Sequence, residues 1–276
     1  TGFFKFKVIT LLMVEIIKKY KIGSRRFGYV NWIGAFALYK KEVLRFLIVW
    51  IQTIFSPIIS ALLFLAVLNL AIGNDRGEVL GTSFINFLAP GLIAMQIIQQ
   101  SFSHSSSSFM IGKIQKNIVD ILHAPLSPAE VTLAVTFAAI TRSVMIAFIS
   151  IIIFYFLIDL QIKDFLNLII FTFLSAFILG AIGVIAGLWA EKFDHMATVT
   201  NFIIVPLSFL SGTFYSIERL PDFLKIISKL NPFFYMIDGF RYSFIEQSDS
   251  SVTIGIIYLT IMSLVVWLLA YTLFKI

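Results

Sequence analysis

One charged residue, Arg142, stands well inside an apolar stretch of this 276-residue sequence. A charge at membrane depth is costly and faces a cavity or a polar partner. Gln52, Gln96 and Gln99 are its candidate companions along a polar path, with Asn69 and Gln100 as further neighbours. Arg142 can equally be a structural hydrogen-bond hub, and residue types alone do not choose. A second polar group falls between two apolar stretches: Lys113, Gln115, Lys116, Asn117 and Asp120. Ile114, Ile118, Ile121 and Leu122 share one helical face there, and His123-Ala124-Pro125-Leu126-Ser127-Pro128 ends the pattern. A short helix so placed is suited to docking into another protein. No catalytic set accompanies these residues. The sequence lacks GxxxxGK[ST], so the chain is not expected to bind and hydrolyse ATP alone. It also lacks GxSxG, HExxH and the kinase motifs. His104, His123 and His195 are scattered without metal-ligand spacing, and there is no cysteine. Ser103–His104–Ser105 has no third group to orient it, and the tract Ser101–Ser108 is expected to be a flexible polar mouth ending the second apolar stretch.

These residues sit among six apolar stretches, about 47–72, 84–108, 131–158, 165–190, 196–217 and 252–274. A bilayer core is roughly 30 Å thick and takes about 20 apolar helical residues to cross. Charged residues make up 13% of the sequence, against about 25% in soluble domains. The stretches are apolar all round, unlike soluble amphipathic helices, and show no alternation of a membrane barrel. The expected fold is an all-α polytopic membrane protein: residues 1–46 cytoplasmic or interfacial, 47–276 a six-helix transmembrane domain. Residues 1–46 hold ten Lys/Arg against Glu15 and Glu42. Such a cluster marks the cytoplasmic side and attracts anionic head groups, so the net charge of +6 argues for a membrane surface, not nucleic acid. Both termini are then cytoplasmic.

Residues 3–22 combine an apolar face with Lys7, Glu15 and Lys18, the pattern of a helix lying in the interface. A second such segment is 31–46, with Asn31 as N-cap, an aromatic flank of Trp32, Phe36 and Tyr39, and the charges Lys41, Glu42 and Arg45. It is either an anchor or a movable gate or docking helix. Pro57 and Pro206 should kink their helices. Ala176/Gly180 and Gly183/Gly187 have the small-xxx-small spacing of close helix contacts. The segment 218–251 reads as two short amphipathic helices, around Phe223–Leu230 and Phe233–Phe240, broken at Asn231–Pro232.

Six stretches occur in order: KEVLRFLIVWIQTIFSPIIS (41–60), FLAPGLIAMQII (87–98), SSFMIGKIQKNIVDILHAPLSP (107–128), AEKFDH (190–195), PLSFLSGTFYSIERLP (206–221) and LNPFFYMIDGFRY (230–242). With them the sequence resembles the ABC-2 family of exporter permeases (type V ABC exporters), in particular its YadH-like and NodJ-like members. The resemblance implies a homodimer of six-span subunits in a bacterial inner membrane, each bound to a separate cytosolic ABC ATPase and surrounded by lipid. ATP and Mg would be held by that partner, with no cofactor in this chain. It implies a gate helix over 31–46 carrying Tyr39, Lys41, Glu42 and Arg45. The ATPase-coupling residues would be Lys113, Gln115, Lys116, Asn117 and Asp120, with Glu191 and Asp194 at a second contact. The outer segment 218–247, with Pro221, Asn231, Pro232, Tyr235 and Arg241, would form paired re-entrant helices capping the path. The implied activity is outward movement of an amphiphilic, lipid-like, drug-like or lipid-linked saccharide cargo. The alternative is a non-transporting scaffold or assembly subunit that docks the ATPase.

Overall fold

A computed structural model of the chain describes residues 30–72 and 78–275. The interfacial helix expected over 3–22 lies outside them. The fold is mostly helical. Helix α1 (Trp32–Ile48) leads through a π-helical turn at Ile51–Phe55 into α2 (Ser56–Ile72). A small hairpin pairs β1 (Glu78–Val79) with β2 (Thr82–Ser83), turning at Leu80 and Gly81, both at positive φ. It feeds α3 (Phe84–Ile114), followed by the short α4 (Ile118–His123), then α5 (Pro128–Ile158) and α6 (Phe165–Trp189). Next come α7 (Phe193–Val199), a second π turn (Thr200–Ile204) and α8 (Val205–Leu210). The chain finishes with α9 (Asp222–Leu230), α10 (Pro232–Ile245) and α11 (Val252–Lys275).

Among the described residues, five helical runs are long and apolar enough to cross a membrane: Ile51–Ala71, Pro128–Ile158, Phe165–Trp189, Phe193–Leu210 and Val252–Lys275. Helix α3 is long enough as well, since 31 residues rise about 1.5 Å each, but its second half is too polar to join that group. It occupies the centre of the bundle, packed on α5 and α6. The expectation of a flexible mouth over 101–108 is overturned. That tract continues α3 and is buried, with Ser101, His104 and Ser105 at 0% exposure. The serine polarity is absorbed locally: Ser101 Oγ donates to Ile97 O at 2.7 Å and Ser107 Oγ to His104 O at 3.0 Å. Small side chains also let α6 come close. A Cβ on Gly183 would lie 2.6 Å from Phe102 O, and one on Gly187 2.9 Å from Ser106 O. Gly183 and Gly187 of the small-residue stripe are therefore the contact of α6 with α3, while Gly180 lies against Thr136 and Ala139 of α5.

Helix ends follow their caps. Ser127 and Glu130 form a reciprocal capping box at α5, with Pro128 in the first turn. Asp164 caps α6 by accepting from Asn167 N at 3.0 Å. The kinks expected at Pro57 and Pro206 take one form: each proline sits two residues beyond a π turn. Proline supplies no N–H and crowds the preceding turn, and a widened turn relieves both. The apolar stretch expected to run to 217 stops as helix at Leu210, followed by a turn through Gly212 at φ +77°.

Candidate gate and coupling site

Helix α1 is tied to the rest of the bundle by polar contacts along its length. At its start, Asn31 Oδ1 accepts from Gly34 N at 2.9 Å. Asn31 N donates to Glu130 Oε1 at 2.6 Å, and Ser127 N donates to Glu130 Oε2 at 2.6 Å. Asn31 Nδ2 also reaches Pro125 O at 3.2 Å. The buried Glu130 carboxylate thus clasps the start of α1, the α4–α5 connection and the start of α5. Further along, Tyr39 Oη and Thr141 Oγ1 share a hydrogen bond of 2.8 Å.

Glu42 is a carboxylate only 1% exposed, and it is held by Arg45, whose Nε donates to Glu42 Oε2 at 2.9 Å. The remaining Arg45 nitrogens reach into α3, Nη2 to His104 O at 2.9 Å and Nη1 to Ser107 Oγ at 3.2 Å. His104 Nε2 lies 3.9 Å from Glu42 Oε2, too long for a hydrogen bond, and neither ring nitrogen has a hydrogen-bond partner. The edge of one ring faces the other between His104 and Phe46, centroids 5.6 Å apart.

The seam continues into the first π turn. Thr53 Oγ1 donates to Phe46 O at 2.8 Å. Thr53 O, the carbonyl that a residue other than Pro57 would bond in an unbroken helix, accepts from Arg142 Nη2 at 3.2 Å. Arg142 Nη2 also donates to Gln100 Oε1. Arg142 is thus a hydrogen-bond hub that completes the broken turn and joins the first π turn, α3 and α5. The four residues expected along one path do not meet: Gln52 is exposed beside α1 and α2, Gln96 is buried in α3, Gln99 is half-buried, and Arg142 pairs with Gln100 instead.

At the α4 end of the bundle, the helix expected over 113–124 is shorter. Lys113 remains on α3, Gln115–Asn117 form a turn with Lys116 at φ 60°, and α4 covers six residues. Gln115, Lys116, Asn117 and Asp120 are exposed, as are Val119 and Leu122. Lys113 does not face outward. Its Nζ donates to Ala190 O at 2.9 Å and to Leu188 O, closing the C-terminal end of α6. Glu191 and Asp194 are exposed on the next turn, so Lys113 brings the two expected contact regions side by side.

At the opposite end, Asn231 Nδ2 donates to Leu207 O at 3.1 Å and Ser211 Oγ at 2.7 Å, while Oδ1 caps α10 through Phe233 N at 3.1 Å. Pro232 opens α10, and Pro221 is exposed ahead of α9. Helix α9 is amphipathic, but α10 is buried over most of its surface. Tyr235 packs against Tyr258, centroids 4.9 Å apart. Arg241, expected in the outer cap, is 1% exposed. Its guanidinium lies 3.9 Å over Phe87 and donates to Phe87 O, Gly212 O and Thr213 O at 3.2, 2.7 and 3.2 Å. A Cβ on Gly91 would come within 2.8 Å of this guanidinium.

Glu130 and Thr53 are absent from the sequence-based candidates. Ser127-Pro-Ala-Glu130 carries the capping-box signature, and Thr53 follows from counting back one helical turn from Pro57.

Five long apolar helical runs and a polar seam buried among them define a class, that of helical multi-pass membrane proteins. The chain belongs to the ABC-2 type transporter family, whose profile matches residues 34–245. It is 31% identical over 221 residues to the inner membrane transport permease YadH of Escherichia coli K12, covering 80% of this chain and 86% of that protein. It is 23% identical over 216 residues to nodulation protein J of Rhizobium meliloti, covering 76% and 80% of the two chains. The nodulation protein J of Rhizobium leguminosarum bv. viciae is also 23% identical, over 253 residues, covering 90% and 95%. The chain is therefore a multi-pass transport permease, a membrane subunit of a transporter.

Proposed function

We propose that this permease is the membrane half of an ATP-driven exporter of the inner membrane. Two copies would form the passage, and a separate cytosolic ABC ATPase would dock on each and hold ATP and Mg. The permease named YadH and the family match support this reading. It takes α3 as a sixth span, α1 as a helix at the cytoplasmic interface, and α9 and α10 as a re-entrant cap on the outer side. The cargo is amphiphilic.

One observation carries the mechanism: the Glu130 clasp. Exposed α4, with Lys116, Asn117 and Asp120, is the docking turn. A push on α4 is delivered through the 124–127 linker to Glu130, and from Glu130 to Asn31 at the head of α1. The Glu42–Arg45 pair and Thr53 then pass the displacement to α3 and the first π turn. Glu191 and Asp194 supply the second docking contact.

Copurification from the native membrane tests this. An ATPase should accompany the chain, and its vanadate-sensitive turnover should rise when the two are reconstituted together. Lys116→Glu should weaken their association several-fold without lowering thermal stability, whereas Lys113→Glu should destabilise the chain itself by removing the cap on α6. A chain that never accelerates its copurified ATPase, or that moves cargo with none present, excludes the reading.

A further inference from the structure

The His104 side chain takes no part in the bonds that tie α1 to α3. It is fully buried on α3, and among the described residues neither ring nitrogen has a hydrogen-bond partner. A buried polar group left unbonded costs stability, and its presence in a native core calls for a reason. Leucine would fill nearly the same space without that cost.

A partner stands close by on the facing helix. Glu42 Oε2 lies 3.9 Å from His104 Nε2, so about 1 Å of approach would bring the two into hydrogen-bond range. Glu42 is buried and is held from its own helix by Arg45 Nε at 2.9 Å. Arg45 does not depend on Glu42, since Nη2 and Nη1 reach His104 O at 2.9 Å and Ser107 Oγ at 3.2 Å. The carboxylate can therefore pass from Arg45 to His104 while both charges stay hydrogen-bonded. Phe46, one turn beyond Glu42, meets the imidazole edge-on with centroids 5.6 Å apart. A shift of α1 thus moves both neighbours of the ring together. Coupling between distant sites requires an element with two discrete arrangements, and this seam holds the parts for a second one.

We propose that His104 is a positioning residue for the driven state of α1. When α1 is pushed against α3, His104 Nε2–H donates to the Glu42 carboxylate, and the seam changes from an Arg45-held to a His104-held arrangement. No proton needs to be gained, because the neutral ring with its hydrogen on Nε2 already supplies the donor. This deepens the exporter reading and rests on it, since the push reaches α1 through the Glu130 clasp.

The test uses the full chain alone and the full chain reconstituted with the ATPase that copurifies with it. His104→Leu should lower the permease-stimulated, vanadate-sensitive ATP turnover about tenfold, while ATPase binding stays as in the parent. The thermal midpoint of the chain alone should rise, because an unbonded polar ring has left the core. His104→Gln places its amide N–H close to where Nε2–H stood, and should return most of the turnover. His104→Asn, whose amide stops short at the position of Nδ1, should not. A side chain that only holds the resting fold behaves otherwise: the midpoint of His104→Leu would fall, and that result overturns the proposal. Unchanged turnover in His104→Leu overturns it too, as does equal loss in His104→Gln and His104→Asn. Failure of the exporter reading looks different, since the parent chain itself would then leave the ATPase unstimulated, and the midpoint of the chain alone would still score His104.

Discussion

Arg142 serves a carbonyl that Pro57 leaves without its helical donor, and this makes its role separable from that of a path-lining charge. Arg142→Leu strands Thr53 O and the Gln100 side chain, at about 1–3 kcal/mol for a buried group left unpaired. The thermal midpoint in detergent should fall accordingly. Adding Pro57→Ala restores a backbone N–H opposite Thr53 O, so the double variant should recover a good part of the loss. Simple addition of the two effects would show that Arg142 does nothing for that carbonyl. The charged residues of this region stand out in the sequence because charge is rare there. Their partners do not: Glu130 meets Asn31 across 99 positions and Arg142 meets Thr53 across 89, and nothing in local spacing pairs them. The Gln52, Gln96, Gln99 and Arg142 grouping fails for the same reason, since shared polarity does not place side chains on facing surfaces.

At the scale of elements, the contact between α3 and α6 depends on how near two backbones can come. Gly183→Leu places side-chain atoms where Phe102 O and Ser105 already sit. Overpacking of that kind costs about 1–3 kcal/mol, and here it parts two central helices of the bundle. The variant should elute as aggregate or as a broad peak in size-exclusion chromatography, while Gly183→Ala should fall between it and the parent. The small-residue spacing on α6 is legible because it repeats at helical intervals. The helices at 128–158, 165–189 and 252–275 are legible to within a few residues because Ser127 and Asp164 punctuate two of them and hydropathy bounds all three. The 101–108 tract misleads because polarity implies exposure only when nothing covers it. The Ser101 and Ser107 hydroxyls return to their own helix, with glycines opposite, and so bury part of that polar surface with its hydrogen bonds made, while Ser105 Oγ and the His104 ring are buried without a partner among the described residues.

For the whole molecule, one sign governs everything else: which end of the bundle faces the cytoplasm. Inside segments in the exporter reading hold fourteen of the 21 Lys/Arg, and the positive-inside rule is what that reading rests on when it assigns the α4 end to the cytoplasm. The chain has no cysteine, so each introduced thiol is the sole target for a maleimide. In intact cells or spheroplasts, Lys229→Cys on α9 should react with a membrane-impermeant maleimide, and Lys116→Cys should react only after the membrane is opened. The reverse pattern would turn the permease over and move α4 out of reach of any cytosolic motor.

The two π turns carry a consequence for motion. Each wide turn accommodates one more residue than the helix around it, and one residue corresponds to about 100° of rotation. Smoothing 51–55 into regular helix would turn Trp50 by roughly that angle against α2 with little travel along the axis, while α1 itself ends earlier, at the non-helical Val49. Pro57 stands immediately beyond as a fixed stop, and Pro206 does the same for the turn at 200–204. Both π turns lie on two of the least covered helical runs, where removing the extra residue would call for a twist of the run and little slide along it.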